Sequence, residues 1–225
     1  MSARVVFVTA SGTDVGKTHV AASLLRALRA RGHAAQALKP VMSGFDPADL
    51  ASSDAGRLLA ALGEEATTDN VARVAPIRFE AALPPTVAAA RYDRMLIFRD
   101  VVRACRDALE RTDDILVIEG VGGVMAPIAE GAKVIDLINE LEAPALLVVG
   151  SYLGAASHAL TALSVLDAEN VPVIGIVVSE SEGSPVTLGE TMAMIAPFDH
   201  DRRILALPRG ADRGAEIADW VLAAV

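Results

Sequence analysis

Short apolar runs alternate with amphipathic segments along most of the chain. The apolar runs predict buried strands over residues 5–9, 33–39, 114–120, 144–150, 171–179 and 203–207. The segments between them carry apolar residues at helical spacing and predict helices over 18–32, 54–63, 95–111, 155–170, 187–196 and 213–224. Residues 64–94 follow neither period clearly, so we expect them to form an insertion or a lid.

This alternation of strands and helices predicts the α/β class, with a doubly wound, mostly parallel sheet and helices on both faces. The sequence shows no internal repeat, low-complexity tract or linker, so residues 1–225 are expected to form a single domain. In sheets of this kind, ligands bind beyond the carboxyl ends of the strands. The polar residues that end or follow the predicted strands are therefore the candidates for a functional site.

The composition limits what the protein can bind. Hydrophobic residues make up 52% of the chain but aromatic residues only 4%, so Ala, Val, Leu and Ile must fill the interior. The formal net charge of −9 argues against a nucleic-acid-binding surface, which needs clustered Lys and Arg. It does not argue against a small anionic ligand, because such a ligand responds to local dipoles and to a few nearby cations.

The single cysteine and the amino-terminal segment indicate in which cellular compartment the protein works. Cys105 has no partner for an intrachain disulfide, which favours a reducing environment, and its surroundings show no nucleophile signature. No long apolar segment precedes the first glycine-containing loop, and no apolar stretch approaches the ~20 residues needed to cross a bilayer. We therefore expect a cytoplasmic protein without a membrane partner.

The loop between the first strand and the first helix carries the strongest chemical signal. It reads ASGTDVGKT and ends in Gly16, Lys17 and Thr18. A phosphate-binding loop needs backbone N–H groups at a helix amino terminus, a lysine for the β and γ oxygens and a hydroxyl for Mg²⁺. The strict pattern has a glycine where Ser11 stands, and Gly12 is the only earlier glycine in the loop. The strand before the loop and the helix after it favour a P-loop NTPase-like domain over a chance match.

Three charged residues stand at positions that bring them to the same edge of the sheet. Lys39 ends the second strand just before a proline, Asp54 begins a helix, and Glu119 ends a buried strand. Taken alone, Lys39 is more typical of a solvated loop and Asp54 of a helix N-cap. A buried carboxylate at position 119 is costly unless it is neutralised, and Mg²⁺ prefers one or two carboxylates together with phosphate oxygens. Thr18, Asp54 and Glu119 are therefore the predicted magnesium ligands.

Five segments together resemble the ATP-dependent dethiobiotin synthetases. They are ASGTDVGKT (10–18), KPVMSG (39–44), SSDA (52–55), IEGVGG (118–123) and VVGSYLGAASHAL (148–160), in the order and spacing of that family. The resemblance implies a ligase of biotin biosynthesis that converts 7,8-diaminononanoate (diaminopelargonate), CO₂ and ATP into dethiobiotin, ADP and phosphate. The implied route passes through a carbamate and a carbamic–phosphoric anhydride, with Mg²⁺ as the cofactor and a homodimer as the assembly.

The resemblance also implies roles for individual residues. Lys17 and Lys39 are the implied catalytic residues, with Lys17 at the transferred phosphoryl group and Lys39 beside the carbamate. The residues expected to contact the diamine or its carbamate are Thr13, Lys39, Ser43, Gly150 and Leu153. The residues expected to hold the nucleotide and its metal are Gly12, Thr13, Asp14, Val15, Gly16, Lys17, Thr18, His19, Asp54, Glu119, Gly120, Val121, Gly122, Ser179, Glu180, Leu207, Pro208, Arg209 and Asp212.

The chain departs from the family pattern at several positions. Ala10 stands in place of the first glycine of the loop, and Ser151 and Tyr152 occupy positions that often differ within the family. Ser179 replaces an asparagine that reads adenine, and it offers a single hydroxyl where an amide offers a separate donor and acceptor. We therefore predict a weaker preference for ATP over other nucleoside triphosphates.

Other functions of P-loop domains are the alternatives. A partitioning or switch ATPase needs an additional lysine early in the loop, and Gly12 occupies that position. An amidating synthase of the cobyrinate type carries a further glutaminase domain with a cysteine nucleophile, for which this chain has neither the length nor a suitable cysteine. A nucleotide-binding protein of unknown substrate is the minimal interpretation.

Overall fold

The computed structural model describes residues 3–225, in which ten strands and nine α-helices follow one another. The strands are β1 (Arg4–Ala10), β2 (Ala35–Leu38), β3 (Val41–Ser43), β4 (Ile77–Phe79), β5 (Ile115–Glu119), β6 (Pro127–Ala129), β7 (Ala132–Lys133), β8 (Ala145–Gly150), β9 (Val173–Ser179) and β10 (Ile204–Leu207). The α-helices are α1 (Lys17–Ala30), α2 (Asp54–Ala61), α3 (Thr68–Val74), α4 (Pro85–Ala90), α5 (Phe98–Glu110), α6 (Val134–Glu140), α7 (Ala155–Ala168), α8 (Leu188–Ile195) and α9 (Gly214–Ala224). Within these described residues, no helix has both the length and the apolar character that a membrane crossing requires.

Six of the strands form one sheet in the order β10–β9–β8–β1–β5–β2. Every neighbouring pair in this sheet is parallel, and β1 lies in its interior between β8 and β5. All residues of β5 and β8 are buried, as expected where helices cover both faces of a sheet. Two small pairs lie outside this sheet, the parallel pair β3–β4 and the antiparallel pair β6–β7.

Alternate residues of β1 point into two cores, one on each face of the sheet. Val6 and Val8 pack with apolar residues of α1, α2 and α9, among them Leu25 and Ile217. Phe7 packs on the other face with apolar residues of α5, α6 and α7. The period of two along the strand produces this division, because successive side chains point to opposite faces. The two cores confirm the prediction of a doubly wound α/β fold.

The strand order brings the carboxyl ends of three strands together. β1, β5 and β2 are consecutive neighbours in the sheet, with Val8 opposite Glu119 and Leu38 opposite Ile118. Lys39, which directly follows β2, therefore lies beside Glu119 although 80 positions separate the two in the chain. The loop that follows β1 starts from the same edge of the sheet.

Residues 64–94 are more regular than the sequence pattern indicated. The segment contains α3, β4 and α4, and β4 pairs with β3. Val71 and Val74 are buried in one core and Phe79 in the other, so the segment belongs to the body of the domain and is not an insertion. Elements of this length hold too few apolar positions to reveal a period, and for the same reason β3, β6, β7 and α6 were not predicted.

Candidate active site

The loop between β1 and α1 forms a concave strip of backbone at the amino terminus of the helix. Gly16 has a φ of 95° and Asp14 a φ of 56°, both in the left-handed region. A Cβ on Gly16 would lie 2.6 Å from Oγ of Ser179, so only glycine fits there without displacement. No side chain of the described residues caps the first turn of α1, which leaves its N–H groups available to an anion.

Lys17, the first residue of α1, folds back across the loop. Its Nζ donates a hydrogen bond of 2.9 Å to the carbonyl oxygen of Gly12, and the residue is only 7% exposed. Burial, reinforced by the nearby positive charge of Lys39, lowers the pKa of Lys17 to about 8. The ammonium group is therefore poorly compensated in this state, and an anion bound in the loop would stabilise its charged form.

Lys39 lies between two carboxylates on the opposite side of this site. Its Nζ is 2.6 Å from Oε1 of Glu119 and 2.7 Å from Oδ2 of Asp54. Burial of Lys39 by itself lowers its pKa, but the charges of Glu119 and Asp54 and their hydrogen bonds outweigh burial, so the pKa is raised above its ordinary value. Lys39 is therefore a permanent cation in this structure, held by an ion pair that is itself largely buried.

Thr18 connects the loop to the same two carboxylates. Its hydroxyl lies 3.0 Å from Oδ1 of Asp54 and 2.8 Å from Oε1 of Glu119, and it has a single proton to share between them. The second carboxylate oxygen of Glu119, Oε2, is buried and has no hydrogen-bond partner among the described residues. Such an orphaned oxygen is costly in an interior, which indicates that this site is completed by a ligand.

The donor set fits a magnesium ion better than a transition metal. It offers one hydroxyl and two carboxylates, all of them hard oxygen donors, and Oε2 of Glu119 supplies an unused lone pair. Residues 3–225 contain no cluster of three or more His, Cys, Asp or Glu that could hold a metal by itself. An ion at Thr18, Asp54 and Glu119 would therefore need further oxygen ligands, which phosphate and water provide.

A cavity of about 340 Å³, which we call the loop cavity, lies between the loop and these carboxylates. Many of the residues predicted to bind nucleotide, metal or substrate line it: Thr13, Asp14, Gly16, Lys17, Thr18, His19, Lys39, Ser43, Asp54, Glu119, Val121 and Gly122. They come from the loop, α1, α2, the last residues of β3 and β5, and the segments that follow β2 and β5. The strand order of the sheet, rather than proximity in the chain, brings them together.

A second cavity of about 710 Å³, which we call the outer cavity, lies next to the first. Five more predicted residues line it, namely Val15, Ser179, Glu180, Pro208 and Arg209, and it shares Asp14, Gly16 and His19 with the loop cavity. Its wall is built by the ends of β9 and β10, where Leu207 stands opposite Ser179 in the sheet. The carboxylate of Glu180 accepts the backbone N–H of Arg209 at 2.7 Å and ties the two strand ends together.

Some predicted residues line neither cavity: Gly12, Gly120, Gly150, Leu153, Leu207 and Asp212. Leu207 is 1% exposed and belongs to a core, so its side chain supports the wall without reaching it. Asp212 is paired with Arg26 at 2.8 Å and accepts the backbone N–H of Gly214, which makes it a support for the start of α9. Leu153 is 82% exposed on the surface of this chain.

Other residues that line the cavities were missed by the sequence analysis. Arg57 lines both cavities, and Ser181, Glu182 and Gly210 line the outer one. Arg57 stands one helical turn after Asp54, and this spacing was the available signal, since residues three apart share a helix face. The outer-cavity residues carry no such signal, because they lie in turns that follow β9 and β10 and have no motif of their own.

Comparisons with known sequences show which family the chain is similar to. A sequence model of a family described as an AAA domain matches residues 4–216. The ATP-dependent dethiobiotin synthetase BioD of Caulobacter sp. (strain K31) is 47% identical over 223 residues, which cover 98% of this chain and 95% of the relative. The protein of the same name from Methylobacterium nodulans is 44% identical over 222 residues, covering 96% and 98% of the two chains.

Solved structures of low sequence identity share the fold. A ParA family ATPase from Chlorobium tepidum aligns with a TM-score of 0.52 at 15% identity and covers 98% of each chain. The MinC:MinD cell division protein complex of Aquifex aeolicus contains a chain that aligns with a TM-score of 0.50 at 13% identity, covering 97% of this chain and 85% of that one. These alignments show the P-loop NTPase fold and nothing finer. The near-full-length identity to the synthetases shows more: the chain belongs to the family of the ATP-dependent dethiobiotin synthetases, which are ligases of biotin biosynthesis.

Proposed function

We propose that this protein closes the ureido ring of dethiobiotin from 7,8-diaminononanoate, CO₂ and ATP. One amine of the diamine takes up CO₂ as a carbamate and releases a proton. A carbamate oxygen attacks the γ-phosphorus of ATP, the bond from that phosphorus to the bridging oxygen breaks, and ADP leaves. The second amine then attacks the carbamoyl carbon of the carbamic–phosphoric anhydride, the carbon–oxygen bond breaks, phosphate leaves and the amine loses a proton.

The difficulty in this reaction is electrostatic. An anionic carbamate must approach an anionic polyphosphate, so the protein must hold both in line and compensate their charges. No side chain has to act as a nucleophile. The loop cavity offers backbone N–H groups at the start of α1, two ammonium groups and a pair of carboxylates, which suits charge compensation better than covalent catalysis.

Lys17 is proposed to stabilise the transferred phosphoryl group. In this structure its ammonium is held by the carbonyl oxygen of Gly12 and is poorly compensated. A phosphate oxygen in the loop would supply the missing negative charge and raise the pKa of the lysine, which favours its charged form. Lys17 would then oppose the charge that builds up on the oxygens of the phosphoryl group.

Lys39 is proposed to hold the carbamate. Its ammonium lies at the end of β2, faces the loop cavity and is fixed by Glu119 and Asp54 at 2.6 and 2.7 Å. An ammonium has three N–H donors, so one remains for a carbamate oxygen while the other two stay hydrogen-bonded to the carboxylates. Ser43, at the end of β3, and Thr13 line the same cavity and are proposed to orient the diamine.

Thr18, Asp54 and Glu119 are proposed to hold Mg²⁺ between the loop and β5. The ion, when bound, would screen the charge of the phosphate oxygens and orient them. The contribution of this chain is to hold the two carboxylates close together, through their contacts with the ammonium of Lys39 and the hydroxyl of Thr18.

One observation carries the proposal: the ammonium of Lys39 bridges the two carboxylates directly beside the phosphate-binding loop. A protein that only binds or hydrolyses ATP needs the loop and the metal ligands but has no need for a second buried cation on the far side of the cavity. The partitioning-ATPase alternative has no comparable support, because the similarity to ParA and MinD-containing structures concerns the fold alone.

The test is product formation with labelled substrate. The protein is incubated with 7,8-diaminononanoate, Mg²⁺, ATP and C¹⁸O₂, and both dethiobiotin and phosphate are analysed by mass. The anhydride route predicts that one ¹⁸O atom from CO₂ appears in phosphate for each dethiobiotin formed, because the carbon–oxygen bond breaks in the second step. ATP hydrolysis without dethiobiotin would refute the function, and dethiobiotin with unlabelled phosphate would refute the route.

We further propose that the protein works as a homodimer in the cytoplasm and that Leu153 reaches the site of a neighbouring subunit. Leu153 is 82% exposed and lines neither cavity of its own chain, which supports a role across an interface. Light scattering gives the mass, and mixing the inactive variants Lys39→Met and Leu153→Asp tests the contact. Activity in the mixture is expected, because one site of a mixed dimer is intact; a monomeric mass, or no recovery in a mixed dimer, contradicts the proposal.

A further inference from the structure

Arg57 is an unused cation at the junction of the two cavities. Among residues 3–225 it is the only lysine or arginine that lines both the loop cavity and the outer cavity. The residue is exposed on α2, and its guanidinium makes neither a hydrogen bond nor an ion pair with another residue of the described chain. Arg209, the other arginine of the outer cavity, is instead paired with Glu182 at 2.8 Å.

The residues shared by the two cavities mark the junction that a nucleotide bound in both would cross. Asp14, Gly16, His19 and Arg57 line both. If the phosphates lie in the loop cavity and the base in the outer one, the ribose and the α-phosphate lie along these four residues. Asp14, Gly16 and His19 all come from the loop and the start of α1, whereas Arg57 comes from a different element, α2.

We infer that the guanidinium of Arg57 binds the nucleotide at its α-phosphate and ribose, closing the junction between the cavities. The inference rests on the proposed function only in that the loop cavity receives a nucleoside triphosphate; it does not depend on ring closure. Guanidinium is a permanent cation with several coplanar donors, which suits a phosphate oxygen and a ribose hydroxyl together.

Among the described residues, no other cationic side chain of the site is free to bind the α-phosphate of the nucleotide. Lys39 is held by two carboxylates, and Lys17 reaches back over the loop to Gly12. His19 is engaged elsewhere, because its Nε2 lies 2.8 Å from the carbonyl oxygen of Ala211.

A rival role for Arg57 is indirect. Its positive charge lies close enough to Asp54 to favour the ionised carboxylate, so its loss could weaken metal binding and only thereby nucleotide binding. The two roles differ in one respect that can be measured. A direct contact with the nucleotide persists when the metal is removed, whereas an effect through Asp54 disappears in a chelator.

The experiment compares the variants Arg57→Gln and Arg57→Lys with the wild type in nucleotide binding. Dissociation constants for ATP, ADP and AMP are measured by competition with a fluorescent ADP analogue, once with Mg²⁺ and once with EDTA. Arg91→Gln is the matched control, because Arg91 is likewise an exposed arginine, located at the C-cap of α4, and lines neither cavity. Melting temperatures of all variants verify that each is folded.

The direct contact predicts that Arg57→Gln weakens the binding of ATP, ADP and AMP by a similar factor of about 10, with and without Mg²⁺. A loss of this size is expected when a charge-assisted hydrogen bond at an exposed position is removed. Arg57→Lys should recover part of the loss, and Arg91→Gln should change nothing. A loss confined to ATP, a loss that vanishes in EDTA, or no loss at all would each overturn the inference. Because none of these measurements requires dethiobiotin, failure here is distinguishable from failure of the proposed reaction.

Discussion

The buried cation at position 39 allows a sharp test of how this site is held together. In the variant Lys39→Met the ammonium is removed while most of the side-chain volume is kept. Glu119, which is 1% exposed, then loses its partner at 2.6 Å and retains only the hydroxyl of Thr18. Asp54 loses its partner at 2.7 Å but is in part exposed, so solvent compensates some of its charge.

The structure sets the expected size of the effect. Leaving one member of a buried ion pair uncompensated costs ~3–5 kcal/mol of unfolding free energy. Replacing Glu119 by Gln as well removes that buried charge and leaves a neutral amide with imperfect partners, a defect of ~1–3 kcal/mol. The double variant should therefore be more stable than Lys39→Met alone by about 2 kcal/mol, which is roughly a 1 M difference in the midpoint of urea unfolding.

Urea unfolding of the wild type, both single variants and the double variant, without divalent ions, gives the four free energies of a double-mutant cycle. Arg103→Met is the control, since its ion pair with Asp100 is exposed and should contribute at most ~1 kcal/mol. Adding Mg²⁺ should raise the stability of Lys39→Met more than that of the wild type, because the two carboxylates are then free to bind the ion. Strict additivity of the two single changes, or a loss for Lys39→Met no larger than that of the control, would refute this account of the site.

Three further predictions concern other parts of the molecule. Because Ser179 offers one hydroxyl to the base, reaction rates with ATP, GTP and CTP under equal conditions should differ by far less than a thousandfold; a preference for ATP of several thousandfold contradicts this. Burial raises the pKa of the Cys105 thiol to about 12, so a thiol reagent at pH 8 should leave the native protein unmodified and label one thiol per chain after unfolding. Rapid labelling of the native state would show that the core around α5 opens. Hydrogen bonds from Arg4 and, second in size, from His33 lower the pKa of Asp114. Its ionised carboxylate therefore stabilises the folded protein at neutral pH, and this stabilisation is lost as the pH falls below the ordinary pKa of an aspartate. Asp114→Asn should cost about 1 kcal/mol in urea unfolding at pH 7 and progressively less below about pH 4, whereas an equal cost at both pH values contradicts the ion pair.

Much of the fold was predictable because its strands are buried on both faces. Strands such as β5 and β8 read as continuous apolar runs, and the helices between them carry one apolar stripe, so both periods are visible in the sequence. The short elements between residues 64 and 94 were not predictable, since three to seven residues are too few to show a period. Their positions are set by tertiary packing, with β4 placed by its pairing with β3.

The sequence indicated many of the residues that line the loop cavity but not the contacts between them. Lys39, Asp54 and Glu119 stand out because each is a charge at the end or start of a regular element, yet the sequence does not say that the lysine bridges the carboxylates. That contact depends on β2 lying beside β5, which is a property of the strand order. Asp212 shows the opposite limit: the family resemblance implied a contact with the nucleotide, and nothing in the sequence indicated that its carboxylate pairs with Arg26, 186 positions away in the chain.

The charges of the loop cavity explain how such a site can be stable before any ligand arrives. The ammonium groups of Lys17 and Lys39 are matched in number by the carboxylates of Asp54 and Glu119, so the buried part of the site is close to neutral. A neutral interior costs far less than isolated charges, but it also attracts a polyphosphate only weakly. A divalent ion that occupied the hydroxyl and carboxylate oxygens would make the site net positive, and Arg57 at the junction would add to this charge. Tight binding of the nucleotide should therefore require the metal, and the metal should bind tightly only with the nucleotide, because each supplies the charge that the other lacks.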